Sequence, residues 1–176
     1  MIRKNNKLLL QEHFFVNPTS ALRVRELERA TNLPLPSITR YVKELIREGI
    51  VQKKIMGTTT FYTAHRTDER YRAQKILYNL NALHETGLIQ HLINHYHNAP
   101  LRLFGSYSRG EDTEDSDIDI YVQTPLESVS LATFEKKLKR TVQLFTYKDI
   151  HAIPNKELAN NIVNGIPLNG YIEVFA

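Results

Sequence analysis

The chain has 176 residues, 41% of them apolar and 24% charged, enough for one domain or two small ones with a packed core. No apolar run approaches the roughly 18 residues a membrane span needs, and with no cysteine there is neither a disulfide framework nor a thiolate metal site. The net charge of +4 is unevenly spread: residues 1–65 hold eleven basic side chains against five acidic ones, residues 66–176 twelve against fourteen.

The opening Met1-Ile2-Arg3-Lys4, ahead of Leu8-Leu9-Leu10, has the charge-then-apolar order of a secretion signal. Gln11, Glu12 and His13 end the run after three residues, too few for a signal core, so a cytoplasmic location is expected. Lys7 to Phe15 reads as a helix, broken by Asn17-Pro18-Thr19-Ser20. Val24, Leu27 and Ala30 recur at helical spacing over Val24 to Thr31, and Asn32-Leu33-Pro34 turns the chain. Ser37 to Gly49 is a longer helix with Ile38, Val42, Leu45 and Ile46 on one face. Ile50 to Ile55 and Thr59 to Thr63 alternate like two strands joined around Gly57. This order resembles a winged helix-turn-helix domain, with Ser37 to Leu45 as its recognition helix. The resemblance implies a double-stranded DNA partner, contacted by Ser37, Thr39, Arg40 and Lys43 on the helix and by Lys53 and Lys54 on the wing. A basic front half agrees with a polyanionic partner. A winged domain that grips protein instead is the alternative.

Thr67 to Asn98 reads as an amphipathic helical connector, with Leu77, Leu80, Leu83, Leu88, Leu92 and Ile93 as its stripe. His84, His91 and His95 could share one face of it. No carboxylate accompanies them and Gly87 weakens the helix between them, so solvated histidines outweigh a metal site. The expected division is 1–66, 67–98 and 99–176, with Asn98-Ala99-Pro100 as the last boundary.

Leu101 to Phe104 is a short strand running into Gly105-Ser106-Tyr107-Ser108-Arg109-Gly110. An acidic turn follows, and then a second strand, Asp117 to Val122. A strand alternates its faces, so Asp117 and Asp119 point one way while Ile118, Ile120 and Val122 face a core. Two neighbouring carboxylates repel each other and gain most from a hard cation between them, Mg2+ or Mn2+. Gly105 permits close backbone approach. Ser106, the peptide N–H groups of the next turn and Arg109 offer donors to phosphate oxygens.

The string Gly-Ser, ten residues, Asp-x-Asp resembles the signature of the DNA polymerase beta-like nucleotidyltransferases, and its surroundings look most like the minimal branch. The resemblance implies that Gly105, Ser106, Arg109 and Gly110 bind a nucleoside triphosphate, ATP being the first choice. By the same resemblance Asp117 and Asp119 are catalytic and hold the metal, and the domain has a mixed β-sheet flanked by helices. The fold class expected for the whole is α+β/α/β, two-domain. The resemblance also implies a third carboxylate on the strand Val142-Gln143-Leu144, where this chain has Gln143. An amide carries no charge and cannot act as a base; Asp149 and Glu173 are the substitutes within reach of the sequence. A helix at Leu131 to Arg140, another at Asn155 to Asn164 and a strand at Tyr171 to Phe175 complete the expectation. An antitoxin-like role beside a toxin or other protein partner, and a homodimer, are further expectations. The alternative is a nucleotide-sensing, DNA-binding regulator with little or no turnover.

Overall fold

A computed structural model describes residues 5–126 and 129–175; residues 1–4, with the signal-like opening, lie outside them. The chain divides into two compact units, Met1–Lys75 and Ile76–Ala176. The cut falls inside a helix of the expected connector.

In the first unit, α1 (Asn6–Val16) starts where the Asn5 side chain accepts the Lys7 N–H at 3.0 Å, a side-chain cap for an otherwise orphaned donor. A two-residue strand, β1 (Ala21–Leu22), precedes α2 (Val24–Thr31) and α3 (Leu35–Arg47). Asn32, with φ of 54°, closes α2 in the left-handed conformation that asparagine tolerates better than most residues. The third helix begins two residues before the expected Ser37, because Pro36 sits in its first turn, where a missing N–H costs nothing. It ends at Arg47, and two residues on Gly49 turns the chain at φ of 76°. There Gly49 N–H donates to Ile46 and Ile50 N–H to Leu45, at 3.1 and 2.9 Å, the paired bonds of a Schellman stop.

Beyond that stop, β2 (Val51–Met56) and β3 (Thr59–Ala64) form an antiparallel hairpin, and the sheet order is β1-β3-β2. Leu10, Phe14, Leu27, Ile38, Val42 and Leu45 are fully or almost fully buried. On α1, where Leu8, Leu9, Phe14 and Phe15 are the apolar positions expected from the sequence, Leu10 is buried and Leu8 stands 54% exposed. The start of α4 (Glu69–Glu85) adds donors to the end of α1: Tyr71 hydroxyl to Phe14 carbonyl at 3.3 Å, and Lys75 ammonium to Phe15 carbonyl at 2.6 Å.

The second unit holds the rest of α4, then α5 (Leu88–His95), β4 (Leu101–Phe104), the single turn α6 (Gly105–Ser108), β5 (Ile118–Gln123) and α7 (Ala132–Leu138). There follow β6 (Val142–Tyr147), a 3-10 turn at Ile150–Ala152, α8 (Lys156–Val163) and β7 (Ile166–Asn169). The sheet is mixed, in the order β6-β5-β4-β7. Strand β4 runs antiparallel to β5 and β7, and β6 runs parallel to β5. One face buries Leu101, Leu103, Ile118, Ile120, Val122 and Val142 with Leu83, Leu88 and Leu92. The other buries Phe104 and Tyr121 with Ile150, Ile153, Ile162 and Ile172.

Two expectations change. The helix over Thr67 to Asn98 is two helices, because Gly87 takes φ of 80° and caps α5; Leu77, placed on the apolar stripe, is 61% exposed. The last strand is β7, and Tyr171 to Phe175 forms none. Pro167 hides β7 in the sequence, yet an edge strand tolerates a missing N–H. Gly170, at φ of 60°, then turns the chain, and only the apolar half of the 171–175 alternation is used, with Ile172 buried.

Candidate active site and DNA-facing surface

The candidate site forms where β4 meets β5. Phe104 is the register partner of Asp119, so the residue after Phe104 meets the Asp119 carboxylate. That residue is Gly105, at φ of 72°; a Cβ on it would stand 2.1 Å from Asp119 Oδ2. No other side chain fits there, for dihedral and steric reasons together. The α6 turn starts at Gly105, Ser106 is partly buried, and the Ser106 carbonyl accepts the N–H groups of Arg109 and Glu111 at 3.1 and 3.0 Å. Gly110 closes the turn at φ of 65°. Arg109 is exposed and paired with Glu111 at 2.8 Å.

Asp117 stands one residue ahead of β5, and Asp119 is its second residue. Alternation puts both on the Tyr121 face, away from Ile118 and Ile120. Burial and then repulsion from Asp117 push the Asp119 carboxyl above its ordinary value, against a smaller pull from Arg109. A cation between the two would relieve both causes. The parallel pairing of β5 and β6 aligns Gln143 with Asp119, and the Gln143 amide donates to Asp117 Oδ2 at 2.5 Å. Neither proposed substitute groups with the pair. Asp149 follows the far end of β6, where it caps the 3-10 turn through the Ala152 N–H. Glu173 lines a cavity with Pro100 and Gln123, at the opposite end of β4 and β5 from Gly105 and Asp119. Among the described residues no group of three or more His, Cys, Asp or Glu converges; the third group beside Asp117 and Asp119 is the Gln143 amide.

The loop between turn and carboxylates is held by residues that sequence reasoning missed. Asp112 has a side chain of 0% exposure and meets Arg140, at 9%, at 3.0 Å. The Arg140 guanidinium also donates to the Thr113 carbonyl and, at 2.9 Å, to that of Ser116, and lies 5.6 Å from the Tyr107 ring centroid. The buried Asn79 amide donates to Tyr107 carbonyl at 2.9 Å and to Asp112 Oδ1 at 2.8 Å. A buried ion pair needs such extra bonds to offset desolvation. In the sequence Asp112 was one of several acids in a turn and Arg140 a helix end; nothing in their spacing joined them.

On α3, Ile38, Val42 and Leu45 face inward, while Thr39, Arg40 and Lys43 are exposed and Ser37 is partly so. The Arg40 guanidinium lies over the Tyr41 ring at 4.4 Å. Lys53 and Lys54 are exposed on β2. His91 and His95 stack at 6.2 Å on α5, whereas His84 belongs to α4, so the helix break separates the three histidines between two elements.

Comparison with known proteins bears on both halves. Residues 88–169 match the family model of the nucleotidyltransferase domain, and residues 15–54 that of the IclR helix-turn-helix domain. A curated protein of Methanocaldococcus jannaschii named "Putative protein adenylyltransferase MJ1379" is 46% identical over 59 residues, 29% of this chain and 59% of that protein. The chain thus spans little more than half of that relative's length. No solved structure matches. By these matches the chain joins a helix-turn-helix domain of the IclR kind to a nucleotidyltransferase domain.

Proposed function

We propose that the chain transfers a nucleoside monophosphate from a triphosphate, ATP first, to an acceptor hydroxyl, and that its first domain binds duplex DNA. One observation carries the transferase reading: the Asp119 carboxylate packs over Gly105, at the start of the turn that would receive the phosphates. Asp117 and Asp119 would hold Mg2+ or Mn2+, and the raised Asp119 carboxyl fits a site that gains from positive charge. When bound, the ion supplies charge neutralisation at the phosphate oxygens. The Ser106 hydroxyl, the peptide N–H groups of α6 and the Arg109 guanidinium orient the polyphosphate. Gly110 lets the loop turn close behind it. In the transfer the acceptor oxygen forms a bond to the α-phosphorus, the bond from that phosphorus to the bridging oxygen breaks, and pyrophosphate leaves. The hydroxyl proton passes to solvent or to an acceptor-side base, because Gln143 cannot take it. Positioning and charge stabilisation are the protein's main contributions.

The adenylyltransferase relative supports a protein as acceptor, and a toxin-like partner fits that scheme; a homodimer is the accompanying arrangement. The second reading is nucleotide sensing without turnover, favoured by the Gln143 hydrogen bond to Asp117. Labelled ATP with Mg2+ or Mn2+ should label the chain or an added partner, and Asp117→Ala/Asp119→Ala should abolish it. Tight ATP binding with no transfer to any acceptor would select the sensing reading. For DNA, Arg40→Ala/Lys43→Ala should weaken duplex binding and flatten its salt dependence. A salt slope unchanged by that substitution would assign the domain to a protein partner.

A further inference from the structure

The tip of the β2–β3 hairpin leaves two large apolar side chains in water: Ile55 is 67% and Met56 63% exposed. The turn beyond them, Gly57-Thr58, is exposed as well, so the tip projects as a narrow end. Directly behind it Lys53 and Lys54 are exposed, and residues 51–64 contain no acidic side chain. Alternation sorts these residues into two equivalent faces. Lys53 and Ile55 share one, paired with Tyr62 and Thr60 across the hairpin; Lys54 and Met56 share the other, paired with Phe61 and Thr59. Each face therefore carries an apolar residue at the end and a cation one repeat behind.

We propose that this tip is a wedge that enters the minor groove of duplex DNA and inserts Ile55 or Met56 into a base step. The proposal rests on the DNA-binding reading above and specifies how the wing engages. Two residues of strand separate apolar tip from lysine, roughly 7 Å, and the minor groove is about 7.5 Å deep. With the tip at the groove floor, the ammonium groups stand at the rim, beside the phosphates. Apolar wedges of this kind partly unstack a step and kink the duplex away from the inserted side, which opens the groove to the hairpin. A second copy of the chain is a poorer occupant. Two side chains offer far less than the roughly 1,200 Å² that a stable protein interface buries, and the lysines of two identical tips would repel.

The test uses the full chain and a mixed-sequence duplex containing TA steps, which unstack most readily, with a fluorescent adenine analogue that brightens on unstacking. Binding of the unmodified chain should raise the fluorescence. Ile55→Ser/Met56→Ser should abolish that rise and weaken binding about tenfold or more, while leaving the salt slope unchanged. Ile55→Leu/Met56→Leu should keep both, and Lys53→Ala/Lys54→Ala should flatten the salt slope. Duplex binding without brightening, or a serine variant that binds and brightens like the parent, overturns the wedge while the DNA reading stands. No duplex binding at all by the unmodified chain overturns the DNA reading, and the wedge with it.

Discussion

Gly105→Ala tests the candidate site with one methyl group. At φ of 72° an alanine costs about 1–2 kcal/mol from its dihedral alone. Its Cβ would also stand 2.1 Å from Asp119 Oδ2, so either the carboxylate rotates away or the α6 turn shifts. The combined cost should reach about 2–3 kcal/mol. In a unit of the size of Ile76–Ala176 that lowers the melting temperature by roughly 8 °C or more. Mn2+ binding, followed by electron paramagnetic resonance, should weaken about tenfold or more because one carboxylate is displaced. The two parts separate in a double-mutant cycle. In an Asp119→Ala background the methyl meets no carboxylate, so Gly105→Ala should cost only the dihedral part. Equal costs in both backgrounds, or parental Mn2+ affinity in the single variant, would refute the placement of Asp119 over the turn.

Arg140→Met removes the guanidinium that meets the buried Asp112 carboxylate at 3.0 Å and should cost about 3–5 kcal/mol in urea unfolding; Asp112→Leu added to it should restore part of that loss. The Asp119 carboxyl is raised above its ordinary 3.8 by burial and by Asp117, so the folded state holds that proton more tightly than the unfolded chain. Stability from this group is therefore present below the unfolded value and lost as pH rises through the folded one. Mn2+ needs the ionised form, so its affinity should fall on acidification with a midpoint above 3.8; Asp117→Asn should move that midpoint down, and a midpoint that holds or rises contradicts the repulsion. Gln143→Glu adds a charge beside Asp117 and should tighten Mn2+ by about tenfold or more; unchanged affinity would place Gln143 outside the cation's reach.

The sequence showed those parts of the structure whose physics is local. Helices α2 and α3 and the hairpin β2–β3 follow from apolar periodicity and from Asn32, Gly49 and Gly57, and the end of α1 from Asn17-Pro18. Strands β4 and β5 follow from Leu101 to Phe104 and from Ile118, Ile120 and Val122, and the turn between them from Gly105 and Ser106. What stayed hidden depends on contacts distant in sequence. The Arg140–Asp112–Asn79 cluster joins three segments by packing alone. Strand β7, interrupted by Pro167, becomes a strand only through pairing with β4. The break at Gly87 competes with a continuous helical pattern and prevails because glycine enters the left-handed region at little cost. The places of Asp149 and Glu173 follow from strand direction, which spacing in the sequence does not encode.

The Arg140–Asp112–Asn79 cluster has a practical consequence for transplantation. A fragment of residues 101–123, moved into a foreign scaffold, would carry the serine turn and both aspartates but leave behind the guanidinium and carboxamide that brace its loop. It would reach its new host with a carboxylate to bury and without the guanidinium that meets it at 3.0 Å. Any minimal catalytic graft must therefore bring a segment of α4 and the end of α7, or replace Asp112 by a neutral residue at the outset.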